Sequence, residues 1–199
     1  MIVLDVETSG TNPQKHSILS IGALDFDEPT NQFYEECRAW DGAKIEDQAL
    51  AINGFTKEDI VDPAKKSEAE LVASFIAWAM SRPTERTFAA QNVSFDHSFV
   101  AAAADRADQD FPFAKRTIDI HTLAWMHMTL AGHIVPVDRG HSALTSSMIL
   151  TYCGIPEEVK PHNALTGALW HAEVIARMAY NKSIIPEYRS YDIPWLTKS

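Results

Sequence analysis

Cysteine is scarce in this chain, basic clusters are scarcer, and long apolar runs are missing. Each shortage closes off a class of protein. The two cysteines, Cys37 and Cys153, match no zinc or redox spacing, so free thiols in a reducing cytoplasm are expected rather than a disulfide scaffold. No apolar stretch approaches the ~20 residues of a membrane-spanning helix, and no signal peptide is read before the first strand. Lysine and arginine number 17 against 27 aspartates and glutamates, a formal net charge of -10. Only Lys65–Lys66 and Lys115–Arg116 are adjacent basic pairs. A broad basic face for tight, nonspecific binding to duplex nucleic acid is therefore not expected. Internal repeats and low-complexity segments are also lacking. What is present is an ordinary globular composition, 46% hydrophobic over 199 residues, enough to bury one sizeable core.

Apolar and β-branched residues mark strands near 2–7, 17–26 and 32–40, the last two joined as a hairpin by the turn Asp27 to Asn31. Two short helical patches follow, ALAIN and TKEDI, on either side of Gly54. Ser67 with Glu70 three residues on has the form of a capping box for a helix over about 67–81. A short strand is expected at 87–91, then an Ala-rich helix from Ser94 or Asp96 to about 108. Another short strand, 117–120, leads into a helix ending near 130. AGHIVPVDRGHS reads as a loop, with helices after it near 142–153 and 163–181. This order predicts a mixed sheet flanked by helices, an α/β layer domain.

The first strand ends in an unusual way. Ile2, Val3 and Leu4 run directly into Asp5 and Glu7, and strand alternation sends those two carboxylates to one face. Two buried anions at that spacing repel, and each unpaired charge costs several kcal/mol unless it takes up a proton. A divalent cation between them resolves the conflict, because hard oxygen ligands suit magnesium or manganese. An isolated Asp-x-Glu is also explained by a strand end that reaches solvent, so other segments must decide. Asp96 follows the short strand FAAQ at the start of a helix, where an acid is also a common helix-start residue. His162, one of eight histidines, stands where the last helix begins.

Taken together, these segments resemble the DEDDh-type (DnaQ-like) 3′→5′ exonucleases. The first motif is LDVETSG, NGFTKEDI is similar to the family's GIT segment, and the second motif is NVSFDHSFV, with Gln91 where many members carry histidine. IDIHTLA and HSALTSSMILTYCGI match the linking helices, and PHNALTGALWHAEV the third motif. The resemblance reaches about Met178 and implies an RNase H-like fold, a mixed five-stranded sheet flanked by helices. It divides the chain into an exonuclease-like domain, 1–181, and an extended C-terminal tail, 182–199.

The chemistry so implied is release of nucleoside 5′-monophosphates from the 3′ ends of single-stranded DNA or RNA, with two Mg2+ or Mn2+ ions per site. By similarity Asp5 bridges both ions, Glu7 helps hold the one beside the attacking water, and Asp96 supports the other. His162 is the general base, because a near-neutral pKa lets it accept a proton at working pH. Thr8 and Ser9 would receive the terminal sugar through their backbone, and Asn92 and Phe99 would contact substrate. A polymerase is one implied partner, and the aromatic tail Tyr188 to Trp195 suits burial against a second subunit as well as against its own domain.

One position departs from the pattern. The third motif requires an aspartate five residues after His162, and Gly167 stands there, with no Asp or Glu between Glu158 and Glu173. Three outcomes follow. The site is silent and the protein binds nucleic acid ends or an assembly partner; water fills the gap and a weakened, manganese-preferring enzyme results; or His171, one helical turn on, reaches a metal through the space that glycine leaves.

Overall fold

The computed structural model describes residues 1–82, 85–158 and 160–197. Its centre is a five-stranded sheet built from β1 (Ile2–Thr8), β2 (Ile18–Asp25), β3 (Gln32–Glu36), β4 (Phe88–Ala90) and β5 (Ile118–Asp119), in the order β3-β2-β1-β4-β5. The pairs β1–β2 and β2–β3 are antiparallel, and β1–β4 and β4–β5 are parallel. This is the mixed five-stranded, helix-flanked architecture expected from the sequence. Strands β3 to β5 are shorter than the apolar runs suggested. Register shifts where Glu7 pairs with Ser20 but Thr8 with Ile18, leaving Leu19 as the extra residue of a bulge that bends β2 beside Glu7.

Helices cover both faces. On one side lie α2 (Glu68–Ser81) and α3 (Val93–Arg106), over a core containing Ile2, Leu4, Val6, Phe75, Phe88 and Phe99. On the other lie α4 (Ile120–Leu130), α5 (Ser146–Tyr152) and α6 (Ala164–Tyr180), over Val3, Leu24, Ala89, Ile149 and Val174. The split of β1 between the two cores follows from its period of two. The short helix α1 (Asp47–Asn53) and a 3-10 turn, Asp59–Val61, occupy the predicted patches around Gly54.

Local rules set the helix starts. Ser67 and Glu70 form the complete capping box, of the kind worth about 1 kcal/mol. Helix α3 begins earlier than its acids suggested, because Asn92 takes a left-handed conformation at its N-cap. Asp119 caps α4 and Asn163 caps α6 through their side chains. The segment read as a loop after α4 contains a small hairpin of β6 (Val137–Asp138) and β7 (His141–Ser142), turned at Arg139 and Gly140, both with positive φ.

The tail after α6 is held by one buried ion pair. Arg177 bonds Glu173 at 2.7 Å and donates to the carbonyls of Tyr188, Tyr191 and Asp192. Glu173 accepts the backbone N–H groups of Ile184 and Ile185. Trp195 stacks on Tyr152 and bonds Asn181, so the aromatic tail contacts its own domain. Cys37 and Cys153 are free and buried. No helix of the described residues is long and apolar enough to cross a membrane.

Candidate active site

Strand β1 carries Val3, Asp5 and Glu7 to the face covered by α6. Where Val3 meets apolar side chains of that core, Asp5 meets Gly167, and two glycines allow the close approach. A Cβ at Gly22 would lie 2.1 Å from the backbone of Ala164, so glycine in β2 lets the first turn of α6 lie directly on the sheet. A Cβ at Gly167 would lie 2.2 Å from Asp5 Oδ2. The Asp5 carboxylate thus takes the place that any side chain at 167 would need. From the other side, Asp96 in the first turn of α3 accepts the Val6 N–H at 3.1 Å through Oδ1 and is 3% exposed.

The three motif acids have no lysine or arginine paired with them among the described residues. Asp5 is pushed well above the usual carboxylate range, first by lost hydration and then by the charges of Asp96, Glu7 and Glu158. Burial and then Glu158 raise Glu7 to about 7. Asp96 is raised by burial against the pull of its backbone hydrogen bonds, with Glu7 and Asp119 adding to the rise. These are the expected effects of desolvation and of like charges sharing a site. The buried arginines Arg82 and Arg177 and the half-buried Arg106 are engaged elsewhere, with Asp25, Glu173 and Glu68 respectively. Glu7, 9% exposed, accepts no hydrogen bond among the described residues. As they stand, no three acids or histidines among the described residues are drawn close enough to hold an ion. Hard oxygen donors with unmet negative charge still fit a divalent cation of the magnesium class, and Asp5, Glu7 and Asp96 are the residues that would hold it.

His162, 35% exposed on its side chain, lines two cavities near the start of α6. Its N–H donates to Ile52 O, and its Nδ1 faces Glu158 Oε2 at 3.9 Å. Next to it, Asn163 Nδ2 donates to the Tyr34 hydroxyl at 2.9 Å, fixing the start of α6 against β3. A cavity of about 270 Å³ beside β1 is lined by Glu7, Thr8, Ile52, Asn53 and Phe95 among others, a size suited to part of a nucleotide.

Several expected roles change. His171 is not available to a metal: Nδ1 bonds the Leu4 carbonyl at 2.9 Å, and Nε2 receives the Gln91 N–H at 3.4 Å. Burial holds it neutral, with a pKa near 4. The space beside Gly167 is filled by Asp5 instead. Phe99 is wholly buried in the core and packs on Phe95 at 4.8 Å, so Phe95 is the aromatic that faces the cavity. Ser9 is fully buried too. Its N–H donates to Ser17 O and its carbonyl accepts from Glu46 N, which leaves no backbone group for a sugar. Thr8 does line the cavity, although its carbonyl is taken by Asn53 Nδ2 at 3.0 Å. Asn92 is exposed and bonds Ser94.

Two residues were missed. Asn53 holds the end of β1, and only the chain path over the sheet reveals it. Glu158 precedes His162 by four residues on a loop, yet its charge acts on both Asp5 and Glu7.

Comparison with known proteins agrees with this fold and identifies the family. Residues 2–175 match the RNase T exonuclease family. The chain is 31% identical over 186 residues to ribonuclease T of Shewanella oneidensis, covering 82% of this chain and 74% of that protein. It is 32% identical over 120 residues to ribonuclease T of Klebsiella pneumoniae, covering 53% and 54%. In fold it is similar to the nuclease domain of 3′hExo, a DEDDh family member solved with rAMP, with a TM-score of 0.67, 17% identity and 92% of each chain covered. Exonuclease I of E. coli, solved with a 5cy-dT13 oligonucleotide, aligns with a TM-score of 0.69 and 18% identity over 91% of this chain and 40% of that one. The chain belongs to the RNase T exonuclease family, among the DnaQ-like 3′→5′ exonucleases.

Proposed function

We propose that the protein is an active, Mg2+- or Mn2+-dependent 3′→5′ exonuclease that shortens single-stranded DNA or RNA and releases nucleoside 5′-monophosphates. One observation carries this reading: Asp5, Glu7 and Asp96 are enclosed together with raised pKa values and no protein cation. A fold that needed those positions only for stability would fill them with apolar side chains or pair them. Divalent ions, when bound, neutralise the acids and offset charge on the attacking and leaving oxygens of the phosphodiester.

The chain's own groups do the rest. His162 stands at the solvent edge, where it can take a proton from the attacking water. Its Nδ1 faces Glu158, which leaves Nε2 as the accepting atom. Phe95 offers a ring face in the cavity for the terminal base, and Thr8 and Glu7 line the same space. A net charge of -10 suits a protein that holds a short strand end through ions rather than a long duplex through lysines.

The test is degradation of 5′-labelled single-stranded DNA and RNA, in magnesium and then in manganese. Wild type is expected to shorten the strand from its 3′ end, and Asp5→Ala to leave it intact. A wild-type protein inert in both metals rejects the enzyme and leaves a binder of strand ends, the reading that Gly167 alone would favour.

A further inference from the structure

The site lacks the carboxylate that the third motif should supply at 167, and Asp5 fills the place where it would stand. The question is whether any other group of this chain brings negative oxygen to the same ion. Glu173 does not, since both of its oxygens are used by Arg177 and the tail backbone. His171 does not, for the reasons given above. Asp119 does not, because Oδ2 accepts the Val93 N–H and Oδ1 the Thr122 N–H, capping two helices.

Glu158 differs from all three. Its side chain is 12% exposed, and among the described residues Oε1 is enclosed with no hydrogen-bond partner. Oε2 lies 3.9 Å from His162 Nδ1, and Lys160 lines the same cavity without forming an ion pair with Glu158 among the described residues. An enclosed carboxylate oxygen without a donor destabilises the fold, and a bound cation would relieve it. The carboxylate of Glu7, a residue 9% exposed, also meets no protein donor among the described residues. We infer that Glu158, four residues before His162, replaces the missing third-motif aspartate as a carboxylate ligand of the divalent ion held by Asp5 and Glu7. The inference rests on the metal-dependent reading above. Its chemistry is conservative, because an oxygen donor of the same charge is supplied from the loop before α6 rather than from the helix itself. Consistent with that placement, the charge of Glu158 is among the causes that raise both Asp5 and Glu7.

A structural role for Glu158 is the competing account. Trp170 lines the same cavity of about 180 Å³, and its Nε1 is also buried without a partner. A small movement that joined the two would give Glu158 a donor and leave it no part in metal binding. Glutamine separates these roles, since it can still accept from Trp170 but brings no charge to an ion.

The experiment is calorimetric titration of Mn2+ into the metal-free protein, with thermal melting of each protein before metal is added. The proteins are wild type, Asp5→Asn, Glu158→Gln, Glu158→Asp and, as a control on the same loop, Glu157→Gln. Glu158→Gln is expected to weaken Mn2+ binding about tenfold or more, without a lower melting midpoint in the absence of metal. Glu158→Asp, which keeps the charge, should recover part of the loss, and Glu157→Gln should match wild type. Mn2+ affinity in Glu158→Gln within twofold of wild type overturns the assignment. So does a weakened affinity accompanied by an equal drop in the metal-free midpoint that Glu158→Asp shares. If wild type and Asp5→Asn both fail to bind Mn2+, the metal-dependent reading itself falls, a result distinct from a defect confined to Glu158.

Discussion

Buried acids in this molecule fall into two groups with opposite treatment. Asp25, Glu68 and Glu173 each meet an arginine at 2.7–2.8 Å, and Glu68 and Glu173 collect backbone or hydroxyl donors as well. Asp5, Glu7, Asp96 and Glu158 act on one another's charge with no lysine or arginine bonded to any of them among the described residues, although Asp96 keeps the Val6 N–H and Glu158 has His162 at 3.9 Å. The first group shows that the chain can satisfy a buried carboxylate when stability requires it. On the proposed reading, the second group keeps its charge unmet for a cation that binds. The arginine-paired acids hold the fold, and the unpaired acids weaken it.

The largest expected effect is on activity. Asp5→Asn should lower the rate of strand degradation about 10³-fold or more, the scale of several kcal/mol of lost charge stabilisation. Single-turnover measurement in saturating Mn2+ checks this. Next comes stability in the paired group. Arg177→Met strands Glu173 and releases the tail carbonyls, and should cost about 3–5 kcal/mol in denaturant unfolding.

The third effect is on pH dependence. Glu7 is raised in the fold from 4.5 to about 7, so the folded protein binds more protons than the unfolded chain between those values. Its contribution is fully present below pH 4.5 and is lost as pH rises through 7, by at most about 3 kcal/mol. Buried His171 acts in the opposite sense, its contribution being present above 6.5 and lost as pH falls toward 4. Glu7→Gln should therefore flatten the loss of metal-free stability between pH 5 and 8, while unfolding curves for Arg177→Met should keep the wild-type slope. The smallest effect separates the two aromatic neighbours. Phe95→Ala should raise KM by the equivalent of about 1–3 kcal/mol of base stacking, whereas Phe99→Ala should act through stability, as a core cavity does.

Of this contrast the acids Asp5, Glu7 and Asp96 were legible in the sequence and the arginine pairs were not, and the reasons are physical. Alternation alone placed Asp5 and Glu7 on one face of β1, and apolar periodicity located the helices around them. The Ser67–Glu70 box and the family spacing of Asp96 and His162 depend on local or near-local geometry, which sequence carries well. The failures are all matters of where a side chain ends. His171 sits one turn from Gly167 as expected, but the Leu4 carbonyl captures its ring. Ser9 and Phe99 lie beside the true cavity residues Thr8 and Phe95, and a one-residue or one-turn difference sends them inward. Glu158 acts on Asp5 and Glu7 from the loop before α6, and no periodicity encodes that path. The same is true of the small hairpin after α4, whose two-residue strands are too short to leave a pattern.

The claim that these acids are held at a cost for a cation is tested most directly by melting wild type and Asp5→Asn with and without Mn2+. Without metal, the variant should melt higher than wild type by at least ~2 °C, about what 1 kcal/mol moves in a chain of this length. With metal, wild type should rise and the variant should rise much less. A variant that melts lower than wild type without metal, and responds to Mn2+ as wild type does, would contradict the account.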